Sequence, residues 1–201
     1  MSGLWVKICG VTTPEAVSAA EGAGADAIGF VFAQSPRRVT PERAYRLASP
    51  VRGRIACCAV VRRTSQAQVD EILQVLRPDM LQVDVGELAG LQLPRTLEVL
   101  PVASTRVPAP ETLPDCLLLE RPPTDDGADW DEAGIRALSR RTRLVLAGGL
   151  DAENVGMLVR SIAPFGVDVS RGVEIAPGIK GLDLIRRFVR AARSMNGVIA
   201  L

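Results

Sequence analysis

The stretch "RLVLAGGLDAEN" (143–154) runs an apolar segment into two glycines, then through a polar turn with Asp151 to the helix-spaced Val155, Leu158, Val159 and Ile162. A short apolar run bounded by turn residues reads as a strand buried on both faces. The glycines permit a tight reversal, and the Asp151 carboxylate can cap the first free N–H groups of the segment that follows. One strand–turn–helix unit is written there.

The unit recurs along the chain. Further apolar runs are "LWVKIC" (4–9), "AIGFVF" (27–32), "RIACCAVV" (54–61), "MLQV" (80–83), "LEVLPV" (97–102), "CLLLE" (116–120) and "GVDVS" (166–170), which makes eight candidate strands. Helix starts lie between them. Thr13-Pro14 and Thr40-Pro41 each set a hydroxyl acceptor before a proline at the first helical position. Ser65 with Gln68 fits a capping box ahead of Val69, Ile72, Leu73 and Leu76. Leu184, Ile185, Phe188, Val189 and Ala192 give a last helix one apolar face. Residues 86–96 fit a short helix, 103–115 a proline-rich loop or single turn, and "RPPTDDGAD" (121–129) another loop.

Eight such units in 201 residues predict an α/β fold, a single (β/α)8 TIM barrel spanning 1–201. The alternative is an open doubly wound sheet. In a barrel, chemistry gathers where strands end: after Cys9, Phe32, Val61, Val83, Val102, Glu120, Ala147 and Ser170.

Composition narrows the chemistry. A net charge of +1 gives no global field to attract nucleic acid or an anionic membrane, so neither is expected as a partner. No apolar run approaches the ~18 residues that span a bilayer, and the N-terminus has no long apolar leader core, so a cytoplasmic protein is expected. The four cysteines show no CxxC spacing and do not read as a disulfide framework or a zinc cage. Histidine is absent, which removes the commonest metal ligand and the usual general base. Proton transfer near neutral pH falls to Cys, Asp, Glu or Lys.

Two glycine-containing turns, Gly148-Gly149 and Ser170-Arg171-Gly172, follow the seventh and eighth strands. Barrels of this class often hold a phosphate between those two loops, on backbone N–H groups and a helix N-terminus. Arg171 can add charge there or point into solvent. Arg37 and Arg38 follow strand two, where a guanidinium can grip a carboxylate or stand free as an ordinary loop arginine. Cys57 and Cys58 are adjacent in one strand, so one faces the barrel interior and the other the helices, both as packing; Cys116 starts its strand and reads as structural. Cys9 and Glu120 instead close their strands at the expected active face. A thiol there can act as a base if nearby cations lower its pKa, and Lys7, two residues back on the same side, is placed to do so. Glu120, its pKa raised if buried, can be the opposing acid.

The motifs "VKICGVT", "GADAIGFVFAQSPRRVTPERA", "LAGGLDAENV", "GVDVSRGVE" and "PGIK" resemble, in order, those of the phosphoribosylanthranilate isomerase family of tryptophan biosynthesis. The resemblance implies an aldose–ketose type isomerase that performs an Amadori rearrangement of N-(5-phosphoribosyl)anthranilate, with no cofactor and no metal. It makes Cys9 the base for the C2′ proton and gives Arg37 the anthranilate carboxylate. Gly148, Gly149, Ser170 and Gly172 fall near the phosphate, and Asp168 matches the family's aspartate beside that turn. There are departures. Glu120 stands where the family has an aspartate acid, Asp84 where it has a histidine, Arg171 for a serine and Gly181 for an aspartate, and the glycine-rich segment after strand six is shortened to "TDDGADWD". Asp84, Asp168 and Arg171 are kept in the expected substrate and phosphate set. The expected partner is a phosphorylated small molecule, bound by a monomer or homodimer. Two alternatives stay open: a paralogue isomerising another amino-sugar phosphate, and a non-catalytic binder of phosphate ligands.

Overall fold

A computed structural model describes residues 3–105, 112–121 and 131–194. Eight parallel strands form a closed barrel: β1 (Trp5–Cys9), β2 (Ala27–Val31), β3 (Ala56–Val60), β4 (Met80–Asp84), β5 (Glu98–Ser104), β6 (Cys116–Glu120), β7 (Arg143–Ala147) and β8 (Gly166–Val169). β1 pairs with β2 on one side and β8 on the other, with Lys7 opposite Ala27 and Asp168 respectively. That closure rules out the open sheet. The helices are α1 (Pro14–Gly22), α2 (Pro41–Ala48), α3 (Gln66–Val75), α4 (Val85–Leu88), α5 (Glu132–Ser139), α6 (Val155–Ile162) and α7 (Leu182–Arg193). Among the described residues, no helix is long and apolar enough to cross a membrane.

Local chemistry sets the helix starts. Thr13 and Thr40 accept from the N–H groups of Ala16 and Arg43, each ahead of its proline, and Ser65 with Gln68 closes the capping box. Asp151 caps as expected: its carboxylate accepts from the N–H groups of Glu153 and Asn154, its carbonyl accepts from Val155 N–H, and α6 runs on from there. The loop expected over 121–129 lies, except for Arg121, outside the described residues, as does most of the shortened segment after strand six.

Alternating side chains divide the barrel into two apolar layers. Ile8, Ile28, Cys57, Leu81, Leu117, Leu144 and Val167 pack outward with the helices, including Phe188 of α7 and Val155 of α6. Leu100, Val102, Leu118, Val145 and Ala147 form a separate inner cluster. Cys58 turns inward, towards Lys7 and Cys9. The adjacent cysteines thus face opposite ways, as alternation requires.

A short antiparallel hairpin, β9 (Glu174–Ala176) and β10 (Ile179–Lys180), follows β8 at the mouth. Nearby, the turns after β6, β7 and β8 interlock through glycine. Gly148 has φ of 93°, and a Cβ there would overlap the Arg121 carbonyl; one at Gly172 would overlap the Leu150 carbonyl. Neither obstacle is a flexible side chain. Gly172→Ala is therefore expected to lower stability by about 1–3 kcal/mol, as overpacking does. Urea unfolding checks this, and an unchanged midpoint would contradict the interlock.

Candidate active site

β1 ends in Cys9, and two-residue alternation places Lys7 on the same inward face one step deeper. Lys7 is fully buried, and its ammonium donates to Asp168 Oδ1 at 2.9 Å and Gln82 Oε1 at 2.8 Å. Burial works against this charge, but the Asp168 carboxylate outweighs it and holds the ammonium above the ordinary lysine value. Above this floor lies a cavity of about 410 Å³, lined by Cys9, Arg37, Gln82, Asp84, Glu120 and Asp168 and by the turns at 148–150 and 170–172. The structure thus brings every expected site residue to one place at the C-terminal ends of the strands.

The Cys9 thiol is buried, and burial raises its pKa. Lys7 and Lys180 pull it down and Asp168 pushes it up, but the net direction is upward. The expected lowering by Lys7 is present and is outweighed by desolvation. Burial thus favours the thiol over the thiolate.

Arg37 packs across Gly10, whose φ is 74° and where a Cβ would meet the arginine Cδ at 2.5 Å. Its Nε and Nη2 donate to the two oxygens of Glu174, each at 2.7 Å, which leaves the Nη1 donors for a ligand carboxylate. Lys180 donates to Glu174 at 2.9 Å and to the Ser170 carbonyl at 2.9 Å. Burial works to raise the Glu174 carboxyl, but Arg37 and Lys180 hold it below the ordinary glutamate value. Burial also lowers Lys180, against the pull of Glu174. Arg38, by contrast, is exposed and does not line this cavity.

Sequence reasoning missed Gln82, which lay unmarked in an apolar run, and three charged residues. Glu174 and Lys180 come from the β9–β10 hairpin, whose signal was the Pro177-Gly178 turn between a glutamate and a lysine. The third is Arg62, just past β3. It donates to Asp84 Oδ2 at 3.1 Å and to Glu120 Oε2 at 2.9 Å. The Glu120 side chain is 40% exposed and paired, so the burial expected to prepare it as an acid is absent here.

The glycine turns supply the other end of the cavity. Gly148 and Gly149 both take positive φ, at 93° and 70°. Asn154 bridges the turn, donating to the Gly149 carbonyl and accepting from Asp151 N–H. Among the described residues, the N–H groups of Gly149 and Leu150 meet no protein acceptor. Such a turn presents backbone donors to an anion. Ser170 accepts from Lys180 at both its carbonyl and its hydroxyl, and Arg171 lies exposed at the rim.

A closed parallel barrel that gathers a thiol, a guanidinium and two glycine turns at its strand ends defines a (β/α)8-barrel enzyme. The chain belongs to the phosphoribosylanthranilate isomerase family: the family described as "N-(5'phosphoribosyl)anthranilate (PRA) isomerase" matches residues 6–191. An N-(5'-phosphoribosyl)anthranilate isomerase of Bradyrhizobium sp. (strain BTAi1 / ATCC BAA-1182) is 38% identical over 211 residues, covering 95% of this chain and 96% of the relative. The crystal structure of TrpF from Jonesia denitrificans superposes with a TM-score of 0.82 at 36% identity, covering 96% of this chain and 98% of that one. A phosphoribosyl anthranilate isomerase in complex with reduced 1-(o-carboxyphenylamino)-1-deoxyribulose 5-phosphate gives a TM-score of 0.77 at 27% identity, covering 95% and 99%.

The raised Cys9 pKa has a direct readout. Thiolate is the form that alkylates, so iodoacetamide should modify Cys9 slowly at pH 7 and faster as pH climbs past the ordinary thiol range. Peptide mapping by mass spectrometry separates Cys9 from the other three cysteines. Modification at pH 7 as fast as a free thiol would contradict the assignment.

Proposed function

We propose that this chain catalyses the Amadori rearrangement of N-(5-phosphoribosyl)anthranilate to 1-(2-carboxyphenylamino)-1-deoxyribulose 5-phosphate in tryptophan biosynthesis. The reading rests on one observation above the rest: Cys9 borders the same cavity as Arg37 and the two glycine turns. Those features match the three parts of the substrate, which are a reacting sugar, an aryl carboxylate and a terminal phosphate. A volume of about 410 Å³ suits a ligand of that size.

The steps follow from the chemistry. The Glu120 carboxyl, held by Arg62 at Oε2, protonates the ribose ring oxygen from Oε1. The C1′–O bond breaks as the anilino nitrogen lone pair forms C1′=N. The Cys9 thiolate then removes the C2′ proton, and the C–H electrons form the C1′=C2′ bond of an enolamine as the C1′=N π pair returns to nitrogen. Return of a proton to C1′ and loss of the enol proton leave the ketone. Lys7 and Lys180 favour the thiolate in this sequence against the cost of burial. The Arg37 Nη1 donors hold the carboxylate, and the 148–150 and 170–172 turns hold the phosphate, with Arg171 at its rim. Asp168 acts from the floor by fixing Lys7. Asp84, expected among the substrate ligands, serves through Arg62.

The catalytic unit is the single barrel domain, 1–201. It works in the cytoplasm as a monomer or homodimer on this small phosphorylated substrate.

Loss of substrate fluorescence, with phosphoribosylanthranilate made in situ, measures the activity. Wild type should turn over, and Cys9→Ala should lose about 10²–10⁴-fold in kcat, the range general bases supply. A wild type that binds phosphate esters without turnover would sink the proposal in favour of a binding protein. Turnover of a different amino-sugar phosphate alone would point to the paralogue.

A further inference from the structure

We propose that Arg62 is a positioning residue that fits the Glu120 carboxyl to the cavity, with Asp84 holding Arg62 in turn. The inference rests on the assignment of Glu120 as the acid. Three strand ends meet in this arrangement: Arg62 follows β3, Asp84 ends β4 and Glu120 ends β6. The guanidinium offers Nε and Nη2 to the two oxygens of Asp84, at 3.1 and 3.5 Å, and this fork sets its plane. Nη2 also reaches Glu120 Oε2 at 2.9 Å.

The backbone beneath Arg62 is also held. The next residue, Arg63, takes a left-handed φ of 52°, unfavourable for a residue with a Cβ. The Glu87 carboxylate of α4 accepts from the N–H groups of Arg63 at 2.8 Å and Thr64 at 3.3 Å, which ties the loop down. Arg62 therefore projects from a fixed base, with its head gripped by Asp84.

Glu120 needs such a guide. A glutamate side chain has three rotatable bonds, and this one is 40% exposed. Among the described residues, Arg62 supplies the side-chain contact that chooses one rotamer. All three residues line the same cavity as Cys9. Exposed ion pairs add little to stability, so orientation is the effect to expect.

The test is a double-mutant cycle on phosphoribosylanthranilate turnover, with Arg62→Ala, Glu120→Asp and the pair, plus Arg62→Lys, Asp84→Asn and Glu120→Gln. Arg62→Ala should lower kcat by about 10²-fold, the cost of a misplaced group, with KM within about threefold and the urea midpoint unchanged. Arg62→Lys should recover part of the loss, and Asp84→Asn should show a smaller loss of the same kind. Shortening the acid in the Arg62→Ala background should cost less than it does with Arg62 present, because the two residues act together. A wild-type kcat in Arg62→Ala, with Glu120→Gln inactive, overturns the positioning role and leaves the acid assignment standing. A rise in KM alone overturns it too, since that is the mark of a substrate-binding arginine. Full activity in Glu120→Gln overturns both.

Discussion

The pairing of the buried Lys7 ammonium with Asp168 and Gln82 is the constraint on which the mouth of the barrel depends. An ammonium with no access to water must find acceptors, and these come from β8 and β4. Lys7 and Asp168 are also register partners where β1 meets β8 and the barrel closes. Removing either partner would leave a lone buried charge, at a cost of about 3–5 kcal/mol. The site follows from this floor. Cys9 sits one alternation above Lys7, Asp168 leads directly to the 170–172 turn, and Gln82 lies two residues before Asp84.

Above the floor, the charges divide into two groups. On one side Glu174 joins Arg37 and Lys180; on the other Arg62 joins Asp84 and Glu120. Each group is pre-paired, which fixes the side chains before a ligand enters and limits the ordering that binding requires. The first group is nearly dry, with the Glu174 and Lys180 side chains 5% and 1% exposed. The second is open to water, and its salt bridges are correspondingly weak. That contrast suits a dry anchoring side and a solvent-open side for the proposed proton transfer.

Much of this was legible in the sequence. All eight strands lie where the apolar runs fall, and the threonine, proline and serine starts place α1, α2 and α3. Those signals are local, carried by neighbours in the chain. What was not legible depends on distant partners. Nothing near Glu174 in the chain announces its partner Arg37, 137 positions away, to which the hairpin carries it. Glu120 and Asp84 read as separate departures from the family pattern, and only the fold brings both onto Arg62. The direction of the Cys9 shift also escaped, because the nearby Lys7 predicts a lowered pKa and the depth of burial reverses it.

The most direct measurement is a crystal structure of this protein with reduced 1-(o-carboxyphenylamino)-1-deoxyribulose 5-phosphate, the compound seen with a relative. Cys9 Sγ should lie within about 3–3.5 Å of the sugar C2′, the distance for attack. The phosphate should sit on the N–H groups of Gly149 and Leu150, and the carboxylate on Arg37. A phosphate bound elsewhere, or a thiol out of reach of C2′, would contradict the assignment of this cavity as the site of isomerisation.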